Sequence, residues 1–201
     1  MYKLHFYLRG DGMDNKIRCW DDPPIYRDYH DYEWGRPEHD ENKLFEMLIL
    51  EGAQAGLSWI TVLNKRDNYR KAFDGFDPAK VALYDEKKEE ELLSNKGIIR
   101  NRLKIKSTIM NAKLFLDIQK QYGSFDKFIW GYVDYKPIIG HWESFDVMPL
   151  TTPLSDKISK DLKKMGFKFV GTTIIYSFMQ ATGIVNDHLK SCFVYDELVN
   201  K

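Results

Sequence analysis

Cysteine is scarce in this chain, with two in 201 residues, Cys19 near one end and Cys192 near the other. A disulfide-dense secreted scaffold is therefore excluded. Net charge is also lacking: Lys+Arg 30 balances Asp+Glu 30, so whole-chain electrostatics announce no nucleic-acid partner. No apolar run reaches the roughly 20 residues of a membrane span, and the first residues lack a signal-peptide cleavage pattern. These absences make the cytoplasm the default location and give no reason to expect a membrane. No stretch sustains the apolar–polar alternation of a half-buried strand, and nothing repeats. What is present, 43% hydrophobic residues over this length, suffices for one good core. Residues 1–18 read as an N-terminal extension, of which 1–12 have no evident purpose, and residues 19–201 as a single domain.

The two cysteines each have a histidine at metal-ligand spacing. His188 and Cys192 are four residues apart, which on a helix puts imidazole and thiol on one face, one turn from each other. Cys19 is followed by His30. Two Cys and two His complete a closed Zn²⁺ shell whose task would be to pin the chain ends together. The blander readings are a disulfide or two unrelated buried thiols; a disulfide would leave the histidines unused.

The chain otherwise reads as helix after helix. Asp21-Asp22-Pro23-Pro24 is a helix start, with acids at the cap and proline in the first turn. That helix carries Tyr26, Tyr29 and His30 at i, i+3 and i+4, with a stop at Gly35. A second helix over residues 41–56 bears an apolar stripe at Leu44, Leu48 and Ala55, and Glu51 falls on it. A carboxylate on an inward face is an anomaly, because an unpaired buried charge is costly; the alternative is a helix-end carboxylate that reaches water. Residues 97–116 read as a basic helix, 125–133 as a short aromatic one and 137–153 as a loop.

Charge is distributed unevenly. Lys96, Arg100, Arg102, Lys104 and Lys106 form one basic stretch, and Lys157, Lys160, Lys163, Lys164 and Lys168 a second, broken only by Asp161. Acids concentrate in residues 85–91. Such runs are usually solvated helix faces. The second run, however, leads into Gly166-Phe167-Lys168-Phe169-Val170-Gly171, followed by a Thr-capped helix from Thr172-Thr173 to Gln180 that stops at Gly183. Helix, short glycine-bounded turn and helix outline a helix-hairpin-helix, whose turn offers backbone N–H groups and a helix N-terminus to one phosphate. An ordinary αα-hairpin is commoner; the adjacent lysines favour phosphate.

Together these residues resemble the 3-methyladenine-DNA glycosylase I family. The matching stretches are residues 26–35 (YRDYHDYEWG), 44–69 (LFEMLILEGAQAGLSWITVLNKRDNY), 97–102 (GIIRNR), 166–180 (GFKFVGTTIIYSFMQ) and 185–192 (VNDHLKSC). The resemblance implies an all-α, helix-hairpin-helix DNA glycosylase fold with a structural Zn²⁺ on Cys19, His30, His188 and Cys192. It implies a damaged-base pocket of Tyr26, Tyr29, Glu51 and Trp59 with Trp20 nearby, and Glu51 as the catalytic candidate. Backbone contact falls to Lys163, Lys164, Lys168, Gly171 and Thr172. Three departures stand out. Cys19 abuts Trp20, where the family has one or two residues between. Phe169 occupies the first glycine position of the superfamily's turn. The superfamily's catalytic Asp lacks a clear counterpart, and Asp187 reads instead as a partner of His188.

The implied activity is excision of 3-methyladenine from alkylated double-stranded DNA by hydrolysis of the N-glycosidic bond, releasing the free base, by a monomer. N3-methylation makes the adenine of DNA cationic, and electron-rich aromatic faces attract such a ring by about 0.5–2 kcal/mol each. Glu51 would accept from the exocyclic amine and favour the cation over neutral adenine. Two other readings remain: a zinc-stapled module that binds alkylated sites without cutting, and a zinc hydrolase using His188, which four protein ligands argue against.

Overall fold

The structure, a computed structural model, describes residues 16–200; the purpose of residues 1–12 therefore lies outside the described residues, as does most of the 1–18 extension. Residues 16–18 lie against the domain: the Ile17 carbonyl accepts from the Phe193 amide, and Arg18 forks onto Asp31 at 2.8–2.9 Å.

Helices dominate. α1 (Pro24–Tyr32) begins with Pro23 at the cap rather than an acid; Asp21 instead pairs with Arg27 at 2.6 Å. α2 (Glu41–Gln54) starts one residue after Asp40, whose carboxylate caps the Lys43 amide. Every residue from Leu44 to Ala53 is buried, so α2 is a central helix with apolar residues all round, broader than the stripe inferred from sequence, and Ala55 lies past its end. Around it pack α3 (Trp59–Leu63), α7 (Arg102–Tyr122), α8 (Phe125–Trp130) and α10 (Thr172–Ala181). Phe115 of α7 stacks on Phe125 of α8 at 4.2 Å and meets Phe45 of α2 edge-on at 5.1 Å. Burying each such ring contributes about 1.5–3 kcal/mol.

α7 begins five residues later than the expected start at Gly97. Asn101 caps the Lys104 amide, whereas residues 96–97 form a turn, in which the Asn95 side chain accepts from the Gly97 amide, and 99–100 are irregular. A capping side chain outweighs apolar periodicity in setting a helix start. α4 (Arg66–Ala72), α5 (Pro78–Val81) and α6 (Glu86–Ser94) cover one side. Arg102 pairs with Glu90 and Lys106 with Glu89, so the basic stretch of α7 is matched by the acidic run of α6 and is a seam between helices.

α9 (Pro153–Met165) opens with a Thr152–Ser155 capping box and Pro153 in its first turn, then ends at Gly166, whose φ of 106° suits glycine. The expected loop at 137–153 contains a two-residue strand, β1 (Ile138–Ile139), paired in parallel with β2 (Val185–Asn186). α11 (Phe193–Val199) closes the described chain. No described helix is long and apolar enough to cross a membrane.

Candidate functional site

The chain ends meet at a buried cluster. Cys19, His30, His188 and Cys192 direct one donor atom each into a group whose members all lie within 4.8 Å of one another. Cys192 Sγ is 3.3 Å from His30 Nε2 and 3.5 Å from His188 Nδ1, and Cys19 Sγ is 3.5 Å from His188 Nδ1. Bonds of 2.0–2.3 Å to a tetrahedral metal require donor–donor edges of about 3.3–3.8 Å, so this set can hold a metal ion. The remaining ring nitrogens are tied down as metal-binding histidines require. His30 Nδ1 donates to Asp31 at 2.7 Å, and His188 Nε2 to the Trp34 carbonyl at 2.9 Å. Burial raises the Asp31 carboxyl, but hydrogen bonds from Arg18 and His30 outweigh it and hold it below its ordinary range. The sulfurs oppose each other: the contact with Cys192, and then burial, raise the Cys19 thiol, while the same contact lowers Cys192. A cation ionises both. Both cysteines are free, so the disulfide reading is not realised.

The cluster differs from the sequence pattern in two respects. His188 and Cys192 do not share a helix; residues 188–192 form a turn, and Cys192 is the cap of α11. Asp187 does not touch His188. Its carboxylate points the other way and accepts from Trp142 Nε1, Tyr176 OH and Gln180 Nε2 at 2.6–2.8 Å. It thereby ties the 137–152 loop to α10. Gly35, at φ 76°, leaves room for the His188 ring, which a Cβ there would meet at 2.8 Å.

One helical turn from His30 the aromatic residues converge. Tyr29 of α1 and Trp59 of α3 have ring centroids 5.4 Å apart. Trp20 lies 5.2 Å from the Tyr26 ring and donates its indole N–H to the Tyr26 carbonyl, despite its adjacency to Cys19. It also packs on His30 at 4.9 Å, linking the metal cluster to the aromatic group. Glu51 of α2 faces this group, 3% exposed, and does not reach water as a helix-end carboxylate would. Burial pushes its carboxyl up to about 8. Burial and then the Glu51 charge raise Tyr26 to about 12, and the same two causes raise Tyr29. Glu51 Oε2 and Trp59 Nε1 are both buried without a hydrogen-bond partner among the described residues. A buried acceptor and a buried donor, each without a partner among the described residues, thus lie beside aromatic rings, an arrangement able to hydrogen-bond a flat polar ring.

The α9–α10 turn is built so that its carbonyls point inward. Asn111 Nδ2 donates to the Lys168 carbonyl at 2.9 Å, and Ser159 Oγ to that of Val170 at 2.7 Å. The N–H groups of Phe169, Val170 and Gly171 make no hydrogen bond among the described residues. Gly171, not a threonine, caps α10; the Thr172 hydroxyl turns back to Asp156 at 2.5 Å. Lys163, Lys164 and Lys168 are exposed and form no salt bridge among the described residues, unlike Lys157, which pairs with Asp161.

The model of the methyladenine glycosylase family matches residues 19–195. The chain belongs to that family. The DNA-3-methyladenine glycosylase 1 of Escherichia coli (strain K12) is 53% identical over 172 residues, covering 86% of this chain and 92% of the relative. A crystal structure of 3-methyladenine DNA glycosylase I superposes with a TM-score of 0.85 at 55% identity, over 88% of this chain and 98% of the other. A Staphylococcus aureus 3-methyladenine DNA glycosylase I, described for its recognition of 3-methyladenine, gives a TM-score of 0.84 at 39% identity, over 86% and 92%.

In this methyladenine glycosylase several supporting residues escaped sequence reasoning. Asp31 had a signal, its adjacency to His30. The Trp34 carbonyl had none, since a backbone acceptor leaves no mark on residue type. Glu46 and Arg66 pair inside the protein, with Arg66 also 2.7 Å from Glu33, and this network braces α1, α2 and α4 behind Tyr29. Neither is marked in the sequence, because charged residues in a helix pattern read as solvated.

Proposed function

We propose that this protein is a DNA glycosylase that flips 3-methyladenine out of alkylated duplex DNA and hydrolyses its N-glycosidic bond. The observation that carries the reading is Glu51, a buried carboxylate without a partner among Tyr26, Tyr29, Trp59 and Trp20. The sequence and structural likeness to 3-methyladenine DNA glycosylases supports it. The base enters as a cation on an extruded nucleotide. Aromatic faces hold its ring, Glu51 accepts from the exocyclic amine, and Trp59 Nε1 can donate to a ring nitrogen. Water then bonds to the sugar anomeric carbon as the bond to N9 breaks. The base leaves with the electron pair as neutral 3-methyladenine, and the water's proton passes to solvent.

Zn²⁺ is the metal that two cysteines and two histidines suit, and a full protein shell gives it a structural role. When bound it would supply the charge that keeps both sulfurs as thiolates. This leaves no open position for the zinc-hydrolase reading. The enzyme works as a monomer in the cytoplasm, on the helix-hairpin-helix scheme, with the turn's free N–H groups, Gly171 and the first turn of α10 at Thr172 meeting one phosphate.

Incubating the protein with methylated duplex DNA and analysing the released bases tests the activity. Free 3-methyladenine is expected; binding without release would instead support a module that recognises damage without cutting. Neutralising Lys163, Lys164 and Lys168 together is expected to weaken DNA binding without sequence preference. The slope of log affinity on log salt should flatten by roughly one unit per lost contact. An unchanged slope returns these lysines to the solvated surface.

A further inference from the structure

We infer that Asn111 and Phe169 are positioning residues that join the hairpin turn to the base pocket. Asn111 fixes the turn on α7, and Phe169 registers the same turn against α2 beside Glu51. The inference rests on the reading of this turn as the DNA-backbone contact.

Asn111 is 3% exposed in the middle of a 21-residue helix, where asparagine is a poor choice on propensity. Its carboxamide is committed to the backbone of one distant residue: the Lys168 amide donates to Oδ1 at 2.9 Å while Nδ2 donates to the Lys168 carbonyl at 2.9 Å. This two-point grip fixes the peptide planes on either side of Lys168. It turns the Lys168 carbonyl inward, and the Ser159 bond does the same for Val170. The intervening N–H groups are left facing away from α7.

Phe169 has φ 55°, in the left-handed region, which glycine occupies without strain and phenylalanine does not. A side chain kept at such a position has to be explained by what it touches. It is half-buried against Gly52, the residue after Glu51: a Cβ on Gly52 would lie 3.1 Å from Phe169 Cβ and 3.3 Å from its carbonyl oxygen. Lys104 completes the joint. Its ammonium sits 6.0 Å from the Phe169 ring centroid and donates to the Ala53 and Ala55 carbonyls at the C-terminal end of α2, at 2.7 and 2.8 Å. The turn therefore abuts the last turn of the helix that carries Glu51, and a shift of one is a shift of the other.

Three substitutions in the full chain separate the two halves of the inference. Phe169→Gly keeps a residue suited to the turn's backbone but removes the contact with α2. Affinity for a duplex bearing an abasic-site analogue should stay within about twofold, because Asn111 still holds the turn. Single-turnover excision from methylated duplex should slow roughly tenfold or more, as expected for misregistered reacting groups. Binding of free 3-methyladenine should not change. Gly52→Ala, pressing on Phe169 from the other side, should give the same split. Asn111→Ala should weaken binding to the abasic duplex by about tenfold through the lost grip on Lys168, again with free-base binding intact. Wild-type excision by Phe169→Gly would overturn the inference. So would a loss of excision matched by an equal loss of free-base binding, which marks general damage to the pocket. The underlying reading fails separately, through an unchanged salt slope when Lys163, Lys164 and Lys168 are neutralised.

Discussion

If the proposed Zn²⁺ occupies the Cys19–His30–His188–Cys192 cluster, removing it with a chelator, or replacing Cys192 with Ser, is expected to lower the melting temperature by roughly 10 °C or more, given the 2–4 °C per kcal/mol typical of domains this size. The ligands explain the size of the effect. Cys192 Sγ and His30 Nε2 meet across 162 residues of sequence, and Cys19 Sγ and His188 Nδ1 across 169. A cross-link of that span removes more freedom from the unfolded chain than a short one. Ligands that coordinate only when folded convert metal affinity into folding stability, which is large beside the 5–15 kcal/mol typical of whole domains. Without a metal the buried sulfurs of Cys19 and Cys192 would also lie together with no cation between them. Activity should fall secondarily, because His30 shares α1 with Tyr26 and Tyr29, and Trp20 packs on both His30 and Tyr26. A thermal melt with and without chelator, alongside quantification of bound zinc, measures this. An unchanged melting temperature in metal-free protein would refute the stapling role.

The site was legible in the sequence to the extent that it depends on residue type. That Cys19, His30, His188 and Cys192 come together follows from two Cys–His spacings, and the burial of Glu51 from its position among Leu44 and Leu48. What failed was direction. Asp187 stands beside a ligand in sequence, yet its carboxylate faces Trp142, Tyr176 and Gln180, because backbone alternation turns neighbouring side chains to opposite sides. His188 and Cys192 came together through a turn instead of a helix, since four-residue spacing fits either.

The fold was legible where capping chemistry and periodicity agreed. α2 begins at Glu41 and the helix before the hairpin turn ends at Gly166, in line with the sequence, although α2 stops at Gln54, short of Gly56. The apolar period of α7 extends back over residues that the Asn101 cap excludes, so periodicity alone starts this helix too early. The β1–β2 pair was missed because two residues carry no period at all. The basic run on α7 could not be judged from sequence, for its neutralising partners Glu89 and Glu90 belong to another helix. Asn111, on which the coupling of turn and pocket depends, looks like any polar helix residue until its partner 57 positions away is known.

Glu51→Gln is expected to fold and to lose excision of 3-methyladenine roughly 10²-fold, the scale of removing one preorganised electrostatic contact. Gln keeps the size and one acceptor oxygen but cannot carry charge. The pH behaviour makes the test specific. Burial raises the Glu51 carboxyl from 4.5 to about 8, so in the free protein at neutral pH it is largely protonated. A cationic base in the pocket favours the carboxylate, so binding such a base near pH 7 releases a proton. Affinity of the wild-type enzyme for the alkylated site should therefore rise with pH up to about 8 and then level off, as the free carboxyl ionises unaided. The Gln variant should lack that rise. Stability runs the other way. A carboxyl whose folded value is raised stabilises the fold fully below its unfolded value and loses that contribution as pH climbs through the folded one. Between pH 4.5 and about 8 the wild type should thus lose stability that the Gln variant retains. Above pH 8 the variant should be the more stable of the two, by an amount on the order of a few kcal/mol at most. Leu48→Ala, 1% exposed on the same helix, is the control: it should lower stability by about 2–5 kcal/mol at every pH and leave the pH profile of base binding unmoved. Melts and binding isotherms from pH 5 to 9 decide the matter. A Gln variant with wild-type excision and an unaltered pH profile would mean that the Glu51 carboxylate takes no part in recognising the base.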